Sequence, residues 1–179
     1  MFTPENTVLL VIDVQGRLAY LMHEKEKIFK HIQALIQMAR HLSIPIIYTE
    51  QVPEKIGVTI PEIKNSLQDH QPIIKKTFSC CGEPQFLKHL SSFKRKQIIV
   101  CGIETHVCVY QTVSDLLDKK YSIQVVLDAI SSRTKENNDL AIDRMKMLGA
   151  VMTSTEMIAT ELLRTSAHPK FKEILNLIR

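Results

Sequence analysis

The stretch 98–112, IIVCGIETHVCVYQT, passes from an apolar run through a glycine and a polar patch to a cysteine, then into a new amphipathic pattern. A short apolar run bounded by glycine fits a strand buried on both faces, and "QIIVCG" reads that way. From Thr105 to Leu117 the residues Val109, Val113 and Leu117 recur at helical spacing, so a helix follows the strand. With Thr105 as N-cap, Cys108 falls at the third helical position, where backbone N–H groups are still unpaired. The local positive potential there is expected to lower the pKa of a thiol, and the free N–H groups could hold an oxyanion. Cysteines are also common small core residues, so from this stretch alone Cys108 reads equally well as packing or as a nucleophile.

The same strand-then-helix pattern repeats along the chain. "TVLLVID" is a first buried strand, and Ile28, Ile32, Leu35, Ile36 and Ala39 mark a helix between Glu24 and His41. "SIPIIYTE" gives a second strand, and "HQPIIKKTFS" a short extended segment. "EPQFLKHLSSF" gives a short helix, "YSIQVVLDAI" a strand, and "KENNDLAIDRMKMLG" a helix with apolar Leu140, Ile142, Met145 and Leu148, stopped by Gly149. "AVMTST" is a last strand leading into "EMIATELL". The segment "QVPEKIGVTIPEI" holds two prolines and a glycine and reads as an irregular connection outside the core. In the tail, Phe171, Ile174, Leu175 and Ile178 form one stripe that either closes the hydrophobic layer or covers a neighbouring subunit.

Strands separated by helices imply βαβ units. The expected fold is a three-layer α/β/α sandwich with a mainly parallel, doubly wound sheet of about five or six strands. The 179 residues fit one domain, 1–179, with no internal repeat or break in composition.

Composition narrows the function classes. No apolar run approaches the roughly eighteen residues of a membrane span, and "MFTPENTVLLVID" lacks the basic region of a signal peptide. The net charge of +4, from 23 basic and 19 acidic residues, is weak evidence for a polyanion partner. Lys94, Arg95 and Lys96 form the densest basic cluster, without interleaved aromatics, and read as a solvated turn and not a nucleic-acid contact. The four cysteines, Cys80, Cys81, Cys101 and Cys108, show no zinc spacing, and a reducing cytoplasm with free thiols is expected. Cys101 lies within a strand and reads as core, whereas Cys80 and Cys81 stand at the mouth of a loop.

In a parallel sheet, ligands bind outside the carboxyl ends of the strands. Asp13 lies there after the first strand, Glu50 and Gln51 after the second, Lys75 after the third, and Gly102–Cys108 after the central one. Asp13 reads as an acid/base residue or as a turn cap. His106 is only two positions from Cys108, and helical residues i and i+2 do not face each other, so a base for the thiol must come from elsewhere. Of the adjacent Lys75 and Lys76, one should face the crevice and the other solvent. A lysine there keeps a nearby acid and thiol charged and oriented.

Four segments, "LLVIDVQ" at 9–15, "KKTFSC" at 75–80, "VCGIETHVCV" at 100–109 and "VVLDAISSR" at 125–133, resemble the cysteine hydrolase branch of the isochorismatase-like superfamily, which includes nicotinamidases and carbamoyl-amide hydrolases. They span nearly the whole chain, and "GIETHVC" is the most specific. The resemblance implies an Asp–Lys–Cys triad of Asp13, Lys75 and Cys108, with a one-residue slip exchanging Lys75 for Lys76. It further implies a non-proline cis peptide at Ile103–Glu104 that turns the N–H groups of Glu104 and Cys108 toward an oxyanion. The implied activity is hydrolysis of a C–N bond in a small amide, ureide or carbamoyl compound through a thioester. A homo-oligomer, a dimer or larger, is also implied.

Departures from the pattern limit the substrate. Metal-dependent nicotinamidases carry an Asp-x-His pair after the second strand, where this chain reads "YTEQVPEKIG", so no catalytic metal and no cofactor are expected. The isochorismate enzymes proper lack the nucleophilic cysteine. "TEQ" with its proline-rich loop and "TIPEI" resembles a subgroup of isochorismatase-domain hydrolases found in bacteria and animals. By loop position, Glu50, Gln51, Phe78 and the backbone near Gly57 are expected to line the pocket. Asp128 and Arg133 are expected to fix the loop after their strand. Two other readings stand beside hydrolysis: a non-catalytic binding or interaction protein with this fold, and a redox thiol protein working through a Cys108 sulfenic acid.

Overall fold

A computed structural model describes residues 1–68 and 70–178. Six strands form one wholly parallel sheet: β1 (Thr7–Ile12), β2 (Ile46–Gln51), β3 (Ile73–Lys75), β4 (Gln97–Ile103), β5 (Ser122–Ser131) and β6 (Val151–Thr153). Their spatial order is β3-β2-β1-β4-β5-β6. The chain therefore winds outward from β1 on one side, returns, and winds outward from β4 on the other. The switch point lies between β1 and β4, the place where doubly wound sheets open a crevice.

The helices are α1 (Gly16–Ala19), α2 (Lys25–His41), α3 (Pro53–Ile56), α4 (Pro61–Leu67), α5 (Pro84–Ser92), α6 (Tyr110–Asp118), α7 (Lys135–Met147), α8 (Thr155–Leu163) and α9 (Phe171–Leu177). None of the described helices is long and apolar enough to cross a membrane. The sheet separates two cores. Leu9, Val11, Ile46, Tyr48, Ile99 and Cys101 pack toward α2, α8 and α9. Val8, Leu10, Ile12, Ile47, Ile98 and Val100 pack toward α5, α6 and α7. This two-sided burial is why β1 and β4 read as continuous apolar runs without alternation.

At the β1–β4 contact, Gly102 has φ of +119°, and a Cβ there would stand 2.1 Å from the Ile12 carbonyl oxygen. Only glycine permits that approach. The pairing of β4 with β5 shifts register between Val100 and Gly102, so β5 bulges between Val125 and Ile130.

Two local expectations need correction, and the two-way reading of the tail takes its first alternative. The connection after β2 folds as α3 and α4, and its Thr59, Ile60, Ile63 and Leu67 are buried. Its prolines start helices: Pro53 and Pro61 occupy first-turn positions, where a missing N–H costs nothing. In α7, Ala141 and Met145 carry the buried face, while Leu140 and Leu148 are exposed. The tail stripe belongs to this chain's own layer, since Ile174 is fully buried against the α2 side and Phe171 and Ile178 pack around it.

Candidate active site

Asp13, the residue after β1, adopts φ of +49°, a left-handed conformation that aspartate tolerates better than most side chains. Its Oδ2 pairs with Lys75 Nζ at 2.6 Å, and its Oδ1 accepts a hydrogen bond from Thr49 Oγ1 at 2.7 Å. Lys75 is the inward lysine of β3, only 1% exposed, and Lys76 faces solvent. The Lys75 ammonium also donates to Gln51 Oε1 at 3.1 Å and to the carbonyls of Thr77 and Phe78 at 3.1 and 3.0 Å. Burial by itself lowers the Lys75 pKa, but Asp13, helped by Cys108 and Cys80, reverses the sign and holds it above the ordinary lysine value.

Cys108 Sγ lies 3.3 Å from the same Gln51 Oε1. Asp13 acts on this thiol both through a hydrogen bond and through its charge. Asp13, Lys75 and Cys108 thus meet at the sheet's switch point, as do Gln51 and Thr49. The expectation of a lowered Cys108 pKa is not met. Burial pushes the thiol up, and the Asp13 charge adds to it; Lys75 opposes both without overcoming them. The expectation rested on the positive potential of a helix start, whereas Cys108 is buried, 7% exposed, beside a carboxylate.

The turn holding Cys108 also differs from the expected one. Glu104, not Thr105, stands at the N-cap, without a side-chain capping bond, and Thr105–Val109 forms a wide π-type turn before α6. The Glu104 carbonyl accepts from Val107 N–H at 3.1 Å and Val109 N–H at 3.2 Å. Neither the Glu104 nor the Cys108 N–H finds an acceptor outside that turn among the described residues. The Ile103–Glu104 peptide bond is cis. Arg133 fixes the Glu104 carboxylate from the far side, donating from its backbone N–H and its Nε at 3.1 Å each. Asp128 accepts from the Thr155 N–H and hydroxyl, so both residues hold loops in place.

A cleft of about 110 Å³ opens beside Cys108. Its polar wall comprises Asp13, Gln15, Gln51 and Glu104, and its apolar wall includes Leu18, Ile56, Phe78 and Val107. Gln51 and Phe78 stand where loop position put them, with Phe78 on the exposed rim. Glu50 does not line the cleft. It points to the other face of β2, where its Oε1 accepts from the Thr59 N–H and hydroxyl at 2.7 Å each. Strand alternation is the reason, since neighbours on one strand face opposite ways.

Gln15 and Thr49 are site residues that sequence reasoning missed. Gln15 accepts from Gln51 N–H at 2.6 Å and donates to the Gly57 carbonyl at 2.7 Å, clamping the loop over the cleft. His106 turns away from the sulfur, its Nδ1 lying 2.8 Å from Ser132 Oγ. Cys101 is core on the opposite face, and burial raises the thiols of Cys80, to about 12, and Cys81, to about 11. Among the described residues, no three His, Cys, Asp or Glu side chains gather as a metal site.

The family model described as the isochorismatase domain matches residues 7–157. A protein described as a secreted isochorismatase effector of Phytophthora sojae is 36% identical over 98% of this chain and 86% of its own. The structure described as the MAR1 ribonuclease of Caenorhabditis elegans superposes with a TM-score of 0.93 at 40% identity, covering 99% of this chain and 91% of that one. The Escherichia coli YcaC gene product, described as an octameric hydrolase of unknown specificity, has the same fold. Its TM-score is 0.88 at 24% identity, over 99% of this chain and 94% of that one. With these matches over nearly its full length, the chain belongs to the isochorismatase domain family.

Proposed function

We propose that this protein is a cysteine hydrolase that cleaves a C–N bond of a small amide, ureide or carbamoyl compound. The observation that carries the reading is the meeting of Asp13, Lys75 and Cys108 beside one small cleft. Family membership supports a hydrolase.

Because the resting thiol is protonated, attack requires a base, and Asp13 is the carboxylate in contact with it. Asp13 takes the Cys108 proton as sulfur bonds to the substrate carbonyl carbon. Lys75 balances the charge on Asp13 and fixes its position. The backbone N–H groups of Glu104 and Cys108 receive the oxyanion; buried donors that find no acceptor outside their own turn among the described residues suit that role. Collapse breaks the C–N bond, and Asp13 returns its proton to the departing amine. Water then adds to the thioester, giving its proton to Asp13 and expelling the Cys108 thiolate, which is reprotonated.

The name of the nematode relative raises RNA as a second substrate class. The basic cluster at Lys94–Lys96 precedes β4 and so lies at the opposite edge of the sheet from the cleft, with Arg95 bound to the Pro4 and Thr7 carbonyls. A small, partly apolar cleft favours a small molecule. An oligomer of this chain, as in the octameric relative, belongs to the same proposal and is read by light scattering.

A panel of small amides, ureides and carbamoyl compounds tests the reading, with amine release followed for wild type and C108A and intact mass for the covalent intermediate. Turnover and an adduct present in wild type and absent in C108A are expected. Turnover that survives C108A, or adducts on Cys80 or Cys101 alone, would refute the nucleophile.

A further inference from the structure

Gln51 is a cleft residue that the reaction as written leaves without a task. Its main chain is held on both sides by Gln15, which accepts its N–H and donates to its carbonyl at 3.2 Å. The orientation of its side-chain amide is fixed by chemistry. An ammonium group has only donors, so the atom 3.1 Å from Lys75 Nζ must be the amide oxygen. That oxygen also faces the Cys108 sulfur at 3.3 Å. The amide nitrogen is left with no protein acceptor among the described residues, on a side chain that lines the cleft.

The charges of the cleft give a second, independent constraint. Two carboxylates, Asp13 and Glu104, line it, and no lysine or arginine does among the described residues. The Lys75 ammonium is committed to Asp13, Gln51 and two carbonyls, and Arg133 to Glu104. A substrate carboxylate would therefore lose its hydration without meeting a free cation.

We propose that Gln51 Nε2 is the specificity-determining donor of this site: it binds an uncharged oxygen acceptor next to the scissile carbonyl, so the site takes neutral amides or ureides and turns away carboxylate-bearing ones. The proposal rests on Cys108 being the nucleophile. Neutral substrates then have both ends satisfied, the reacting carbonyl by the backbone donors and its neighbour by Gln51.

Iodoacetamide and iodoacetate test it as a matched pair. In both, the Cys108 sulfur bonds to the methylene carbon as the carbon–iodine bond breaks, iodide leaves and the thiol proton passes to Asp13. Alkylation of Cys108 is timed by peptide mass, and each rate is divided by that reagent's rate with glutathione. Wild type is expected to prefer iodoacetamide by about tenfold or more, and Gln51→Met to lose at least threefold of that preference. The ratio is the readout because a general disturbance of the thiol slows both reagents alike. Equal normalised rates in wild type, or an unchanged ratio in Gln51→Met, would overturn the proposal. Should Gln51→Met not fold, protection of wild-type Cys108 decides: propionamide must slow labelling, and equal protection by propionate overturns the inference. If neither reagent modifies Cys108 while other thiols react, the nucleophile reading fails, and this inference with it.

Discussion

Replacing Lys75 with methionine keeps most of the side chain's volume and removes its charge. In the native protein that charge sits 2.6 Å from Asp13, with side-chain exposures of 0% and 7% for the two residues. Lys75→Met leaves the Asp13 carboxylate buried with Thr49 as its remaining hydrogen-bond donor outside the thiol. Removing one partner of a buried pair costs about 3–5 kcal/mol, because the other charge stays desolvated. Against a total stability of roughly 5–15 kcal/mol for a domain, that loss is large. The second half of the cycle, Asp13→Asn, suits position 13 because asparagine also tolerates its positive φ. Combining the two removes both charges, so the double variant should be more stable than the sum of the single losses allows, by at least about 2 kcal/mol. Urea unfolding at pH 7 measures all four proteins, with unchanged m-values as the condition for comparison. A loss below about 1 kcal/mol for Lys75→Met, or additive losses, would refute the claim that this pair is buried and coupled.

Stability should fall as pH rises above about 8.5, where unfolded thiols ionise while the buried ones keep their protons. Folded values of about 11 for Cys81 and about 12 for Cys80, and upward shifts at Cys101 and Cys108, give each suppressed thiol a contribution that is complete below the unfolded pKa. Each is lost at roughly 1.4 kcal/mol per pH unit up to its folded pKa, and urea melts at pH 8 and 9.5 with a Cys101→Ala variant should show a shallower decline for the variant. Gly102→Ala drives a Cβ into the Ile12 carbonyl oxygen at 2.1 Å and should cost more than about 4 kcal/mol or prevent folding. Gly149→Ala, at φ of +100° but in open space, should cost only about 1–2 kcal/mol, both glycine variants being measured by urea unfolding. Cys101→Ala should retain hydrolysis and Cys108→Ala abolish it with the fold intact by circular dichroism, since the two sulfurs lie in opposite cores.

What the sequence made legible followed from burial and chain order. The uninterrupted apolar runs of β1 and β4 fit strands covered on both faces, and their alternation with helices brings Asp13 and the Cys108 turn to one sheet edge. The thiol's pKa was not legible, because it depends on how deeply the sulfur sinks and which charge stands beside it. Nor was the connection after β2, whose Pro53 and Pro61 suggest breaks although both start helices, with Ile60, Ile63 and Leu67 in helical phase as the available signal. Glu50 departs from its expected place for a reason of strand parity. Ile47 packs on the α5–α7 side, so Thr49 and Gln51 share its face, while Ile46, Tyr48 and Glu50 face α2. In the neighbouring strand Ile73 and Lys75 share the Ile47 face, and the register sets Gln51 opposite Lys75. Once one lysine of the pair is assigned to the crevice, that pairing selects Gln51 and Thr49 for the site and sends Glu50 to the other face. The β2 pleat sets Gln51 over Glu50 and the β3 register sets Lys75 over Lys76 opposite it, so a single-residue slip of β3 would exchange the two lysines.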